Sequence, residues 1–293
     1  MQLSDNARGA ILMNIAMAAF TLNDTAMKVA MQSVPLFQAI GLRGIFASVA
    51  LVLIGWRMGG LSLDISRRDW GFLALRSVAE VLGTLLFLAA LIHMPLANLS
   101  AIMQALPLAV TLAAAVFLKE HIGWRRFTAI LIGFAGVLII IRPGPQGVDI
   151  WSLMGLGAVV CVVARDLATR QMSQALPSAT VALTAAVTVL FLGFVGTVVE
   201  GWQPVAPQDL VMIAGASAAL IVGYLTSVMT MRVGEIGFVA PFRYMALLWA
   251  IVLGWLAFGQ LPDTLTLFGA ALVVATGIFT FWRERKRRAL AAV

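Results

Sequence analysis

The sequence predicts an all-α integral membrane protein with ten transmembrane helices, built as two inverted five-helix repeats. Three observations predict this: a very apolar composition, ten apolar segments of membrane-spanning length, and an internal repeat. Hydrophobic residues make up 61% of the 293-residue chain and charged residues only 11%, whereas a soluble domain carries roughly 25% charged residues. A chain so poor in charge cannot cover its own surface in water.

The apolar segments run for roughly 20 residues without the strict alternation of a membrane β-barrel, so they predict helices. The predicted spans are 8–31, 37–57, 70–93, 96–118, 124–142, 150–171, 179–200, 209–231, 236–258 and 263–282. Small residues recur at helix-packing spacing as Ala79/Gly83 and as Gly215/Ala219/Gly223. Close helix packing is predicted at both places.

The internal repeat relates the two halves of the chain. Residues 23–28 (NDTAMK) recur as 165–170 (RDLATR), and Pro35 and Pro177 follow at the same distance. Further matches pair Asp69, Ser77 and Gly83 with Asp209, Ser217 and Gly223. Five spans in each copy force the second copy to start on the opposite membrane face. The predicted domains are repeat one (1–148), repeat two (149–283) and a basic tail (284–293).

The net charge of +7 is distributed by topology and does not indicate nucleic-acid binding. When the spans alternate, most loop Lys and Arg fall on the side of the N-terminus, including the run from Arg283 to Arg288. Arg142 alone falls on the other side. The positive-inside rule therefore predicts that both termini are cytoplasmic. The bilayer is the expected environment, with anionic lipid near the tail.

Short motifs in each half resemble those of the drug/metabolite transporter superfamily with paired EamA-type domains. The first copy carries Pro107-Leu108-Ala109-Val110-Thr111, Lys119-Glu120, Ala129, Gly133 and Gly136, and the second carries Gly259-Gln260, Gly269 and Gly277. The second copy departs from the pattern at Leu247 and Gln260. The resemblance implies ten helices around a central cavity, lined mainly by helices 3, 4, 8 and 9, in a bacterial inner membrane. Within the superfamily the chain looks most like the YddG-type exporters of aromatic amino acids.

Ionisable and polar residues inside the spans are the candidate substrate-binding groups, because charge is costly in a bilayer. Glu80 lies near the middle of its span and could receive an ammonium group or a proton, or it could be a structural partner of Arg76. Arg243 could bind a carboxylate or extend to the membrane surface. The full candidate set is Glu80, Thr84, Gln104, Tyr224, Arg243, Tyr244 and Trp249.

A second group of intramembrane charges predicts gates at the two membrane faces. Asp24 and Lys28 are four residues apart on span one, and Asp166 and Arg170 repeat that spacing on span six. Arg43 lies within reach of Asp24. We expect Asp24, Lys28 and Arg43 to close one mouth and Arg165, Asp166 and Arg170 to close the other. The alternative is intrahelical pairing that lowers the cost of membrane insertion.

These features favour a secondary transporter that exports amino acids by alternating access. A carrier for another small metabolite, drug or vitamin is the alternative. An enzyme is disfavoured, because the chain has no Gly-x-Ser-x-Gly, His-Glu-x-x-His or P-loop motif. No cofactor or metal is expected, and the expected partner is a small-molecule substrate. Both a monomer and a dimer are compatible with the sequence.

Overall fold

The computed structural model describes residues 4–57, 65–120, 122–143, 148–173, 176–233 and 236–291. The helices are α1 (Asp5–Ala30), α2 (Leu36–Arg57), α3 (Arg67–His93), α4 (Leu96–Met103), α5 (Leu106–Phe117), α6 (Trp124–Ile141), α7 (Ile150–Gln171), α8 (Ser178–Glu200), α9 (Pro207–Val233), α10 (Ile236–Val239), a 3₁₀ turn (Ala240–Tyr244), α11 (Met245–Phe258) and α12 (Thr264–Ala291). Within these residues, ten segments are long and apolar enough to span a membrane. The all-helical prediction of ten spans is therefore confirmed.

Two predicted spans are interrupted instead of continuous. The fourth span divides into α4 and α5 at Gln104 and Ala105, and the ninth contains the 3₁₀ turn before α11. Each interruption lies beside a proline, Pro107 or Pro241. Proline lacks a backbone N–H and its ring crowds the preceding turn, so regular α-helical hydrogen bonding cannot continue through it.

The last helix also differs from the prediction. It continues past residue 282 as far as Ala291, which includes most of the predicted basic tail. The side chains of that tail lie outside the residues whose surroundings the structure describes. Its role as a lipid-facing anchor stays a prediction.

Helix ends are held by short polar contacts. The backbone N–H of Thr266 donates to Oδ1 of Asp263 at 2.8 Å, which caps the start of α12. Arg142, at the end of α6, also donates to Asp263 and forms an ion pair with it. The Thr266 N–H and the Arg142 guanidinium together hold the pKa of Asp263 below its ordinary value.

The chain divides into two compact units. The first unit comprises Met1–Leu22, Met94–Leu156 and Val222–Val293, and the second comprises Asn23–His93 and Gly157–Ile221. Each unit takes segments from both predicted repeats, because the units reflect packing whereas the repeats reflect sequence similarity. The inverted repeat stays a prediction.

In the second unit, α2 packs against α8 through glycines. A Cβ on Gly193 would lie 2.3 Å from the backbone nitrogen of Gly41, so no side chain fits there. In the first unit, α6 packs against α12 in the same way. A Cβ on Gly136 would lie 2.7 Å from the carbonyl oxygen of Gly269. Close backbone approach of this kind is how small residues stabilise helix pairs in lipid.

The predicted small-residue packing sites differ in how closely a neighbouring residue approaches them. Gly83 lies in the second unit against Cys161, and Gly223 lies in the first unit against Phe20. Gly215 has open space where a Cβ would be, so the prediction of close packing is wrong for that residue. Glycine spacing alone cannot distinguish a helix face against protein from one against lipid.

Candidate functional site

Glu80 is the central residue of the 27-residue helix α3 and lies between two arginines of the second unit. Its Oε2 is 3.7 Å from Nη1 of Arg76, one turn earlier on the same helix. Its Oε1 is 3.4 Å from Nη1 of Arg165 on α7. Glu80 therefore forms the predicted contact with Arg76 and also a contact with a predicted gate residue.

Arg165 joins Glu80 to Asp166. Nε of Arg165 donates to Oδ1 of Asp166 at 3.0 Å, and its Nη2 lies at the same distance. This contact is shorter than either contact to Glu80. Asp166 is therefore the stronger fixed partner of Arg165.

Arg43 lies within electrostatic range of both Asp24 and Glu80. Asp24 also accepts a hydrogen bond of 2.9 Å from Nδ2 of Asn23. The order Asp24, Arg43, Glu80, Arg165, Asp166 thus forms one series of alternating charges within the second unit. We call these five residues the charge series.

The sequence predicted two separate charge clusters, and the charge series connects them through Glu80. The remaining predicted gate residues lie at its margins: Lys28 is buried in α1, and Arg170 is exposed near the end of α7. Thr84 follows Glu80 by one turn and is half-buried. The side chain of Thr169 accepts a 3.1 Å hydrogen bond from Nε of Arg76. That contact was missed by sequence reasoning, since nothing in local spacing relates α3 to α7.

In the first unit, the interrupted fourth and ninth spans carry further candidates, and α4 packs against α11. Gln104 is buried at the fourth-span interruption. Tyr244 ends the 3₁₀ turn and is only 5% exposed. Among the described residues, no hydrogen-bond partner is found for its hydroxyl. Gly277 makes room for that hydroxyl, because a Cβ there would overlap it.

Trp249 belongs to a methionine-rich aromatic cluster of the first unit. Its Nε1 donates a 2.9 Å hydrogen bond to Oδ1 of Asn14 on α1. The cluster comprises Met13, Ala16, Met17, Phe20, Phe242, Met245, Ala246 and Trp249. Asn14 was missed by sequence reasoning, since an isolated Asn in an apolar helix carries no motif. Tyr224 and Arg243 also lie in this unit and are exposed.

Across the described residues, no group of three or more His, Cys, Asp or Glu side chains has the arrangement of a metal site. The arrangement offers two chemical surfaces: charged groups of both signs in the second unit, and an aromatic and methionine surface in the first. The charged groups suit ionic groups of a ligand. The aromatic and methionine surface, taken by itself, suits an apolar ring.

Residues 7–142 match the EamA-like transporter family. A riboflavin transporter of Vibrio cholerae is 24% identical, with 82% of each chain covered. An S-adenosylmethionine uptake transporter of Rickettsia conorii is 23% identical over 93% of this chain and 92% of its own. A pseudopaline exporter of Pseudomonas aeruginosa is 25% identical over 92% and 94% respectively.

One solved crystal structure of a protein with 16% sequence identity superposes with a TM-score of 0.66. The superposition covers 93% of this chain and 96% of the other, which supports the fold. Residues 7–142 are therefore similar to an EamA-like transporter domain, and most of the chain is similar in sequence to bacterial transporters and exporters.

Proposed function

We propose that this protein is a secondary transporter for a small metabolite that combines a ring with charged groups. The observation that most directly supports this proposal is the aromatic and methionine cluster beside the interrupted ninth span in the first unit. Interrupted spans in corresponding positions of two repeats are the usual places of transporter substrate sites. Methionine and aromatic side chains adapt to flat ligands through soft, polarizable contacts.

The names of the similar proteins support a substrate class that is not limited to plain amino acids. Their names denote riboflavin, S-adenosylmethionine and pseudopaline. Riboflavin and S-adenosylmethionine each combine a heteroaromatic ring system with polar groups. The partly buried Trp249 and Phe242 of the aromatic cluster suit such a ring by stacking.

The test is counterflow in liposomes that contain the purified protein. Unlabelled riboflavin, S-adenosylmethionine, tryptophan or phenylalanine is loaded inside, and the labelled form of the same solute is added outside. We expect accumulation of label with riboflavin or S-adenosylmethionine, and at least a tenfold slower accumulation with Trp249→Ala. Trp255→Ala is the matched control, because Trp255 is 56% exposed on the same helix. Equal slowing by both variants would contradict a role for the aromatic cluster.

Amino-acid export is the second candidate, and the charge series favours it. A zwitterion carries one group of each sign, and the charge series offers both a carboxylate and arginines in the interior of the second unit. Counterflow of tryptophan and phenylalanine, without riboflavin or S-adenosylmethionine, would support this candidate over the first. The relatives named above do not include a YddG-type exporter.

Location and orientation complete the proposal. We place the protein in a bacterial inner membrane with both termini cytoplasmic, because the loop Lys and Arg favour that orientation. A reporter active only in the cytoplasm, fused after Val293, should be active, and one fused at Arg142 should be inactive. The reverse pattern would overturn the orientation without affecting the carrier function.

A further inference from the structure

Three arginines of the second unit act on the single carboxylate of Glu80. Away from the helix ends, the described span residues of this unit carry the cations Arg43, Arg76 and Arg165 and, in equal number, the carboxylates Asp24, Glu80 and Asp166. Arg76 and Arg165 contact Glu80, whereas Arg43 attracts it from further away. A single carboxylate has two oxygens and cannot give three guanidinium groups the paired hydrogen bonds that they can form.

Glu80 also fits its arginine partners poorly. Its contacts of 3.7 Å to Arg76 and 3.4 Å to Arg165 are longer than the roughly 2.7–2.9 Å of a strong charge-assisted hydrogen bond. Among the described residues, its Oε2 has no hydrogen-bond partner. Arg165 forms a better contact with Asp166, at 3.0 Å. An anion able to approach these arginines more closely would therefore compete well with Glu80.

The three side chains at the centre of this arrangement are partly exposed, although Oε2 of Glu80 and Nη1 of Arg76 are themselves buried. Arg76, Glu80 and Arg165 have side chains that are 15%, 22% and 28% exposed. A charged group near the middle of a span is costly against lipid. Their exposed atoms are therefore best explained by contact with water, through which a polar solute can also enter.

We propose that Arg76 and Arg165, together with Arg43, bind an anionic group of the transported solute, a carboxylate or a phosphate, and that Glu80 is the internal anion that this group replaces. The planar guanidinium of Arg165 can form two parallel hydrogen bonds to either group. The proposal rests on the proposed carrier function and adds to it the charge of the solute. It predicts that substitutions of Glu80 and of Arg165 have opposite effects on the binding of an anionic solute.

The opposite effects follow from competition. Glu80→Gln keeps the size of the side chain and removes the competing charge, so an anionic solute should exchange at about tenfold lower concentration. Arg165→Gln removes a charged donor, so the same solute should need at least tenfold higher concentration. Arg165→Lys keeps the charge and loses the paired hydrogen bonds, so its effect should be intermediate.

The experiment uses matched solutes with and without the anionic group. The pairs are riboflavin 5′-phosphate with riboflavin, tryptophan with tryptophan amide, and S-adenosylmethionine with its methyl ester. Exchange of each solute against its own labelled form is measured in liposomes that contain the native protein or a variant. Gel filtration and the melting temperature establish that each variant is folded. Arg8→Gln is the matched control, because Arg8 is an exposed arginine near the N-terminus.

We expect the native protein to prefer the anionic member of at least one pair. Arg165→Gln should abolish that preference, Glu80→Gln should strengthen it, and Arg8→Gln should leave it unchanged. If Arg165→Gln does not fold, the contrast between Arg165→Lys and Glu80→Gln decides the matter in the same way.

Three results would overturn the anion site. Equal exchange of both members of every pair would show that the protein has no anion site, and it would leave the carrier function standing. Loss of the anionic preference in Glu80→Gln would show that Glu80 supports binding instead of competing with it. Exchange of none of the six solutes would overturn the proposed carrier of ring-containing metabolites, and the anion site with it.

Discussion

In the second unit, α2 and α8 meet at Gly41 and Gly193, and in the first unit α6 and α12 meet at Gly136 and Gly269. The two helix pairs use the same means of close backbone approach. The interiors nevertheless differ, since the second unit holds the charge series whereas the first holds the aromatic cluster and the interrupted spans. The same close packing of helices through glycines is therefore compatible with a charged interior in one unit and an aromatic interior in the other.

The largest expected effect tests whether the glycine contacts hold each unit together. Gly193→Leu should prevent folding or cost more than about 3 kcal/mol, because its Cβ would lie 2.3 Å from the backbone of α2, which cannot move aside as a flexible side chain can. Gly269→Leu should have the same effect in the first unit, where its Cβ would lie 2.6 Å from the carbonyl oxygen of Gly136. Monodisperse protein after gel filtration and the melting temperature are the measurements.

Gly215→Leu is the control for both glycine variants. Gly215 lies in helix α9 of the second unit with open space at the Cβ position, so the same substitution should leave recovery near the native level. Similar losses for Gly193 and Gly215 would show that the helix contacts are less important than the comparison requires.

The next effect tests the ionic interior of the second unit. Asp24→Asn keeps the size of the side chain but weakens its attraction to Arg43, so it should slow solute exchange by about tenfold, which corresponds to about 1.4 kcal/mol. Recovery of folded protein should change by less than about twofold, since Asn23 can still contact the amide. Asp5→Asn, at an exposed residue of the same helix, should change neither. A parallel fall in rate and recovery would eliminate the gating role.

A smaller effect tests the aromatic interior of the first unit. Trp249→Phe removes the hydrogen bond to Asn14 and should lower the free energy of unfolding by about 1 kcal/mol. Trp255→Phe on the same helix should stay within about 0.5 kcal/mol of the native protein. The double variant of Trp249→Phe with Asn14→Ala should lose less than the sum of the two single losses. Strict additivity would show that the indole and the amide do not interact.

The smallest effect concerns the contact between Arg142 and Asp263 in the first unit. Because the folded-state pKa of Asp263 is lowered, its ionised form stabilises the fold above its unfolded pKa of about 4. This stabilisation should disappear as the pH falls from about 4 through the lowered folded-state pKa. The melting temperature of the native protein should therefore fall more on acidification than that of Asp263→Asn. Equal falls would show that Asp263 contributes nothing through its charge.

Local features of the sequence predicted the span boundaries within a few residues for most helices. The proline interruptions were not predicted, because the predicted fourth and ninth spans continue unbroken through Pro107 and Pro241. A proline allows a kink, a 3₁₀ turn or a full break. Which of these forms depends on the neighbours that can satisfy the freed backbone groups.

The candidate site residues show that sequence patterns predict contacts between nearby residues but not contacts between distant ones. Helical spacing predicted the contact of Arg76 with Glu80, because residues four apart lie on one face. The contact of Glu80 with Arg165 joins residues 85 positions apart, and that of Trp249 with Asn14 joins residues 235 apart. No local pattern encodes either pairing.

The sequence alone determined that this chain is a helical membrane protein with ten spans, because burial in lipid requires long apolar segments whose backbone hydrogen bonds close within each helix. Composition and periodicity are local properties, so they can be read directly from the residues. Only the tertiary structure decided that Gly41 contacts Gly193 while Gly215 has open space, and that Glu80 links two groups of charges. Those outcomes depend on which helix faces meet, and that choice is made by the packing of all the helices in a unit together.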